Sequence, residues 1–289
     1  MRVMIVGASG MLGQDLVASV PATVELFAFS RPALDVTNAR GLEAIIREIR
    51  PDVIINAAAF TAVDQAETER SAAFAVNGTA VGMLGRAASV EGVRVVHFST
   101  DYVFDGTGSR PYEEDDRAMP INAYGASKLA GELALAESTV VYLLLRTSWL
   151  FGAHGRSFPR TMRDRAVAGL PSRVVSDQTG RPTYSLDLAR ATWKLIALKA
   201  SGVMHVANTG VATWYDVARR VYSTFGAEHL VEPCSTADFP TPAKRPAWSV
   251  LSTTRVERAL DGPLPPWDDA IDRFLGQIKH LPPAPRIAT

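Results

Sequence analysis

The feature that most narrows what this chain can fold into lies at its start. Val3-Met4-Ile5-Val6 is a short apolar run, and Gly7-Ala8-Ser9-Gly10-Met11-Leu12-Gly13 follows it with glycines spaced three apart. Four apolar residues suit a strand covered on both faces better than a buried helix. Met11 to Val20 then reads as a helix opened by the glycines. In such a strand–loop–helix unit each glycine has its own task. Gly7 permits the tight turn, Gly10 lets a pyrophosphate approach the backbone, and Gly13 allows the helix to pack closely on the strand. The N–H groups of the first helical turn then face the phosphate. The spacing is G-x-x-G-x-x-G, not the commoner G-x-G-x-x-G, but it stands at the strand–helix junction that the motif requires.

The alternation continues. Leu26–Phe29 is a second apolar run. Leu42, Ile45, Ile46 and Ile49 fall at i, i+3, i+4, i+7, one face of a helix that Thr37 or Asn38 could cap and Pro51 closes. Asp52–Asn56 reads as the third strand, Ser71–Val90 as an Ala-rich helix, Val93–Phe98 as the fourth strand and Val140–Leu145 as the fifth, after another helix. Strands that are continuous apolar runs belong in a parallel sheet buried on both faces. The strand–helix order therefore predicts an α/β fold, a Rossmann-like doubly wound parallel sheet over residues 1–150. After Trp149 prolines break the pattern, with helices near Ser185–Leu198 and Thr213–Phe225. Residues 151–280 read as a smaller, loop-rich C-terminal substrate lobe, some elements of which could return to the first domain. The tail 281–289, with three prolines, is expected to be disordered.

Charge and composition exclude several functions. Thirty basic residues balance thirty acidic ones, so no overall basic field would hold nucleic acid or an anionic membrane. No apolar run approaches the ~18 residues that span a bilayer, and the start is too short and too strand-like for a signal peptide. Cys234 is the single cysteine, which rules out an intrachain disulfide framework and a cysteine-cluster metal site. A soluble, cytoplasmic protein is expected.

Two further patterns carry chemistry. An NAD-preferring site carries an acid after the second strand to accept the adenosine ribose hydroxyl. Here the chain reads Phe29-Ser30-Arg31. The guanidinium of Arg31 could pair with a 2′-phosphate, favouring NADPH, while Asp35 could serve the adenine edge. Tyr124-Gly125-Ala126-Ser127-Lys128 then puts a phenol and an ammonium at i, i+4, on one helix face. A nearby ammonium favours phenolate, so Tyr124 is expected to be an acidified phenol able to protonate a nascent alkoxide. Lys128 is the first lysine of a chain that otherwise relies on arginine up to that point, which hints at a role arginine cannot fill. Upstream, Val95-Val96-His97-Phe98 ends in Ser99-Thr100-Asp101-Tyr102, polar residues at the carboxyl end of a parallel strand, where such sheets bind ligands. Thr100 could hydrogen-bond a substrate carbonyl oxygen, or serve only as a turn cap.

Together, the glycine loop, Asn56-Ala57-Ala58-Ala59, Ser99-Thr100-Asp101-Tyr102-Val103-Phe104-Asp105-Gly106 and Tyr124 to Glu132 resemble the extended short-chain dehydrogenase/reductases. Arg146-Thr147-Ser148-Trp149, Asp177–Thr183, Thr213-Trp214-Tyr215-Asp216 and Pro240–Pro246 narrow the resemblance to the dTDP-4-dehydrorhamnose reductase family. The resemblance implies that NADPH gives hydride to C4 of dTDP-4-dehydro-β-L-rhamnose, making dTDP-L-rhamnose. It implies that Tyr124 protonates the C4 oxygen, Lys128 lowers the phenol pKa and binds the nicotinamide ribose, and Thr100 holds the carbonyl. Gly10, Met11, Leu12, Ser30, Asp35, Val36, Ala59, Phe60 and Thr61 would line the cofactor. Val63, Asp64, Thr100, Asp101 and Trp149 would meet the sugar nucleotide. NADH stays open as a second donor and a homodimer as the assembly. Some members bind Mg²⁺ at a dimer interface through glutamates. The early position is Asp15 here and the others have no clear counterpart, so no metal site is carried over. Two alternatives remain: a 4-ketoreductase for another dTDP-deoxysugar, and a non-catalytic dinucleotide-binding regulatory subunit.

Overall fold

In a computed structural model, which describes residues 1–279, six parallel strands form one sheet. β1 (Arg2–Val6), β2 (Glu25–Phe29), β3 (Val53–Asn56), β4 (Arg94–Thr100) and β5 (Tyr142–Thr147) lie in the order β5-β4-β3-β1-β2. A sixth strand, Gly202–His205, pairs in parallel with the free edge of β5. The expected tail 281–289 lies outside the described residues.

The register shows why the strands are apolar throughout. Alternate residues enter two different cores. Val3, Ile5, Val53, Ile55, Val96, Phe98, Leu143 and Leu145 face one side. They pack there on Leu12 and Leu16 of α1 (Met11–Ala18). Met4, Val6, Ile54, Val95 and Leu144 face the other. Leu42, Ile46 and Ile49 of α2 (Ala39–Ile49) cover that side. Burying each such side chain contributes roughly 1.5–3 kcal/mol, so neither face can do without its helical layer. Asn38 caps α2 by accepting from the Gly41 N–H, and Arg50, left-handed at φ +49°, ends it before Pro51.

The segment read as a helix from Ser71 to Val90 is helical throughout, with a wider turn inside it. Short helices α3 (Gln65–Thr68) and α4 (Arg70–Phe74) lead into a wide π turn, Ala75–Thr79, and then α5 (Ala80–Val90). β4 runs two residues beyond the expected Phe98, which carries Ser99 and Thr100 to the rim of the sheet. α6 (Ala123–Glu137) follows and packs beside α5.

Beyond residue 150, α7 (Phe158–Val167), α9 (Trp214–Ser223) and α11 (Trp267–Ile278) build a separate core around Phe151, Tyr184, Tyr222 and Phe274. The sixth strand, α8 (Ser185–Ala197) and α10 (Thr254–Leu260) instead return to the main sheet: Leu188, Trp193 and Val256 lie in its first core. The chain thus crosses between the two cores repeatedly, and its loops meet over the carboxyl ends of the strands. Among the described residues no helix is long and apolar enough to cross a membrane.

Candidate active site

The glycine loop is built for close approach. Gly7 turns at φ +78°, and a Cβ there would sit 2.5 Å from the Ala58 nitrogen. A Cβ on Gly13 would sit 2.3 Å from the Gly7 carbonyl oxygen. These two glycines are demanded by backbone packing. Gly10 differs: it is exposed, its Cβ would meet only the Gly7 oxygen at 3.3 Å, and no side chain caps the helix it opens. A bare helix N-terminus above an open glycine fits the pyrophosphate of a dinucleotide. Met11 is half-buried nearby, whereas Leu12 and Val36, expected to line the cofactor, are buried in the cores and act on the site through packing.

After β2, the Ser30 carbonyl accepts from the N–H groups of Ala33 and Leu34, closing a turn. Arg31 stands on it, largely exposed, with Nε 3.7 Å from Asp35 Oδ2. Asp35 also accepts from the backbone and hydroxyl of Thr37, which hold its carboxyl below the usual range. The loop after β3 presents Ala59, Phe60 and Thr61. Asn77, in the π turn, clamps that loop: it accepts from Phe60 N–H (2.8 Å), donates to the Phe60 carbonyl (2.9 Å) and donates to Ser127 on α6 (2.9 Å). The π turn therefore aims an inward amide that ties a loop to a helix. Nothing in the helical periodicity announced it.

The phenol and the lysine come from α6. Asn122 caps this helix by accepting from the Gly125 N–H, and it donates to the Lys244 carbonyl. A Cβ on Gly125 would lie 2.1 Å from the Tyr102 carbonyl oxygen, so only glycine lets α6 press onto the turn that follows β4. That contact sets Tyr124 near Thr100, whose hydroxyl acts to lower the phenol's pKa. Thr100 also donates to Asp101 Oδ1 (3.0 Å) and accepts from Tyr102 N–H (3.1 Å), so it is both a turn cap and a neighbour of the phenol. Burial pushes the Asp101 carboxyl up to about 7, against hydrogen bonds from Ser249 and Thr100. Its Oδ2, the Ser99 hydroxyl and the Thr147 hydroxyl are buried without partners. Orphaned polar atoms at the carboxyl ends of two adjacent strands are where a polar ligand would be met.

One expectation is corrected. Burial, followed by the Asp101 charge, pushes the Tyr124 phenol up to about 12, and Thr100 offsets only part of this. The lowering expected from Lys128 is absent because burial brings that lysine down to about 8, so it is already an uncharged amine where a phenol near 12 titrates. Lys128 Nζ donates to the Phe98 carbonyl (2.6 Å) and contacts His97 Nε2 (3.3 Å). The i, i+4 spacing puts the two residues on one face; it does not dictate which atom the ammonium meets.

The remaining expected residues lie where the segments of the two lobes meet. Val63 is half-buried. Asp64 accepts from Ala243 N–H (3.1 Å) and Arg245 Nη2 (2.8 Å), tying the loop after β3 to the proline-rich segment of the second lobe. Trp149 adopts φ +48°, and its ring stacks on Trp214 with centroids 3.6 Å apart. A Cβ on Gly180 would lie 2.5 Å from that ring, so a glycine is needed beneath it. Arg245, Ser249 and Trp214 were not among the expected site residues, because they are brought there by segments far along the chain. Asp15 is buried, accepts from the Ser185 hydroxyl and lies 3.7 Å from His154 Nε2. Among the described residues no group of His, Cys, Asp and Glu could hold a metal ion.

Comparison with known proteins agrees with this geometry. Residues 1–280 match the family model of the RmlD substrate binding domain. The dTDP-4-dehydrorhamnose reductase of Burkholderia thailandensis is 39% identical over 94% of this chain and 97% of its own length. A probable dTDP-4,6-dihydroxy-2-methyloxan-3-one 4-ketoreductase of Streptomyces antibioticus is 41% identical over 94% of this chain and 93% of its own. The crystal structure of a Bacillus anthracis dTDP-4-dehydrorhamnose reductase in complex with NADP superposes with a TM-score of 0.92 at 37% identity, covering 96% of this chain and 99% of that one. A glycine-loop parallel sheet, a Tyr–Thr pair at the end of β4 and full-length similarity on both sides lead to one conclusion: the chain belongs to the RmlD family, together with the dTDP-4-dehydrorhamnose reductases.

Proposed function

We propose that this protein reduces the C4 ketone of dTDP-4-dehydro-β-L-rhamnose to the alcohol of dTDP-L-rhamnose, with NADPH as donor. The observation that carries this reading is the nearness of the Tyr124 and Thr100 side chains at the carboxyl end of β4, where Thr100 acts on the phenol's titration. A carbonyl oxygen set between them would meet the Tyr124 O–H directly, and the Thr100 O–H once that hydroxyl turns from Asp101 Oδ1, an oxyanion site that costs no charge burial. The donor, when bound, supplies hydride to C4. Tyr124 gives its proton to the oxygen as negative charge develops there; a phenol near 12 is fully protonated at neutral pH, and an alkoxide, being more basic, can take its proton. The orphaned Asp101 Oδ2 and Thr147 hydroxyl suit sugar hydroxyl groups. The Trp149–Trp214 stack gives this junction of the lobes an apolar wall, against which a sugar or base face would pack.

Gly7, Gly10, Met11 and Gly13 would take the pyrophosphate side of the dinucleotide, with Ala59, Phe60 and Thr61 along it. Ser30 and Arg31 would receive a 2′-phosphate, since the turn after β2 carries no acid at that point. Lys128 would hold the nicotinamide ribose and supply positive charge beneath the phenol.

The strong similarity to a probable 4-ketoreductase of a different dTDP sugar supports a second reading, reduction of another dTDP-4-keto-deoxysugar. Coupled NADPH consumption with enzymatically made dTDP-4-dehydro-β-L-rhamnose, with product stereochemistry read by NMR, tests both. Turnover with inversion of the expected C4 configuration, or only on another keto sugar, selects the second reading. Dinucleotide binding without turnover on any keto sugar selects a regulatory subunit.

A further inference from the structure

Beneath the Tyr–Thr pair runs a buried line of three polar side chains: Asn56 at the end of β3, His97 on β4 and Lys128 on α6. The backbone at one end determines the order of donors and acceptors along it. The Ala58 N–H, which can only donate, lies 3.2 Å from Asn56 Oδ1. The amide therefore turns its NH₂ to His97 Nδ1, 3.1 Å away, and that nitrogen must offer a lone pair. Burial, followed by the neighbouring lysine, holds His97 well below its usual range, so the ring is neutral. A neutral imidazole with a lone pair on Nδ1 carries its proton on Nε2. Nε2 is the atom that faces Lys128 Nζ at 3.3 Å. An ammonium has three donors and no lone pair, so N–H would meet N–H across this contact. An amine has a lone pair and accepts. The contact is a hydrogen bond in one charge state of the lysine only.

We propose that His97 is a positioning residue that sets the charge of Lys128: its tautomer, fixed from Asn56, favours the amine and brings the lysine's titration down towards the working pH. This rests on the reading of Tyr124 and Lys128 as the catalytic pair. Other groups around this corner of the sheet are Asp101 and Tyr102 on the turn after β4, and Tyr124 and Glu132 on α6, Glu132 being paired with Arg146 of β5. Burial acts in the same direction as His97 and brings Lys128 down to about 8, while Glu132 opposes it. An arginine, never deprotonated in a protein, could not respond to such a partner. The consequence is functional. As an ammonium, Lys128 stabilises the phenolate that Tyr124 becomes after giving up its proton; as an amine it does not. The alkaline limit of turnover therefore follows Lys128, and through it His97.

The test has two arms. In the wild-type protein, ¹⁵N NMR of the histidine rings should show His97 unprotonated at Nδ1 and protonated at Nε2 across the neutral range. In His97→Gln, whose side-chain carbonyl can accept from an ammonium, the alkaline limb of the kcat profile should move up by about one pH unit. The Lys128 titration, followed by its ¹³Cε shift, should move with it. Protonated Nδ1 in the wild type overturns the proposal whether or not the variant folds. So does a Lys128 midpoint that stays put or falls in a folded His97→Gln. Failure of the reductase reading would appear instead as lack of turnover on every keto sugar, with the two NMR results unaffected.

Discussion

Asp101 places a measurable cost on the fold at the centre of the site. Its carboxyl is about 2% exposed and one of its oxygens has no partner. Burial is the leading cause that raises its pKa from 3.8 to about 7. Because the folded value lies above the unfolded one, the folded state binds the extra proton between those limits. Stability is therefore full below about pH 4 and falls as pH rises towards 7. A difference of ~3 pH units at ~1.4 kcal/mol each gives a ceiling of about 4 kcal/mol. Asp101→Asn removes that titration. The amide also leaves its own polar atoms imperfectly paired, a cost of roughly 1–3 kcal/mol that does not depend on pH. The quantity to measure is thus the pH dependence of the difference. Urea unfolding of both proteins at pH 4.5 and pH 8.5 should show the variant gaining about 2–4 kcal/mol relative to wild type between the two conditions. A difference that is the same at both pH values would refute the assignment of a protonated, desolvated carboxyl to this position.

Three further outcomes are expected. Tyr124→Phe should leave dinucleotide affinity within about twofold while kcat falls by roughly 10²–10⁴, the usual worth of a positioned general acid; undiminished single-turnover rates would remove Tyr124 from that role. Arg31→Ala should weaken NADPH by about tenfold, as expected for one charge-assisted phosphate contact, and leave NADH nearly unchanged; equal losses in isothermal titrations would show that Arg31 does not read the 2′-phosphate. Gly13→Ala drives a methyl group into the Gly7 carbonyl, so both stability and dinucleotide affinity should drop, the former by roughly 1–3 kcal/mol. Gly10→Ala, which meets only a 3.3 Å contact, should keep the stability in thermal melts and lose mainly affinity.

Much of this protein is written locally in its chain. Continuous apolar runs are sufficient to call for a parallel sheet, since only such a sheet hides both faces of a strand. Gly13 against the Gly7 carbonyl, the Leu42–Ile49 stripe and the Asn38 cap are likewise local, because each depends on contacts within a few residues or on one period, whereas Gly7 is also required by the backbone of Ala58 on another segment. Tertiary structure decided what local pattern cannot express. The return of Gly202–His205 to the sheet depends on an open edge of β5, and the π turn within the Ser71–Val90 helix carries Asn77 to partners on two other segments. The partner of an ammonium is also a tertiary matter. The helical spacing brought Lys128 to the face of Tyr124, but its Nζ met the carbonyl of Phe98 and the ring of His97, which other segments of the chain place there. The charge of a buried group is set by whatever surrounds it in space, and the chain alone records only its neighbours in sequence.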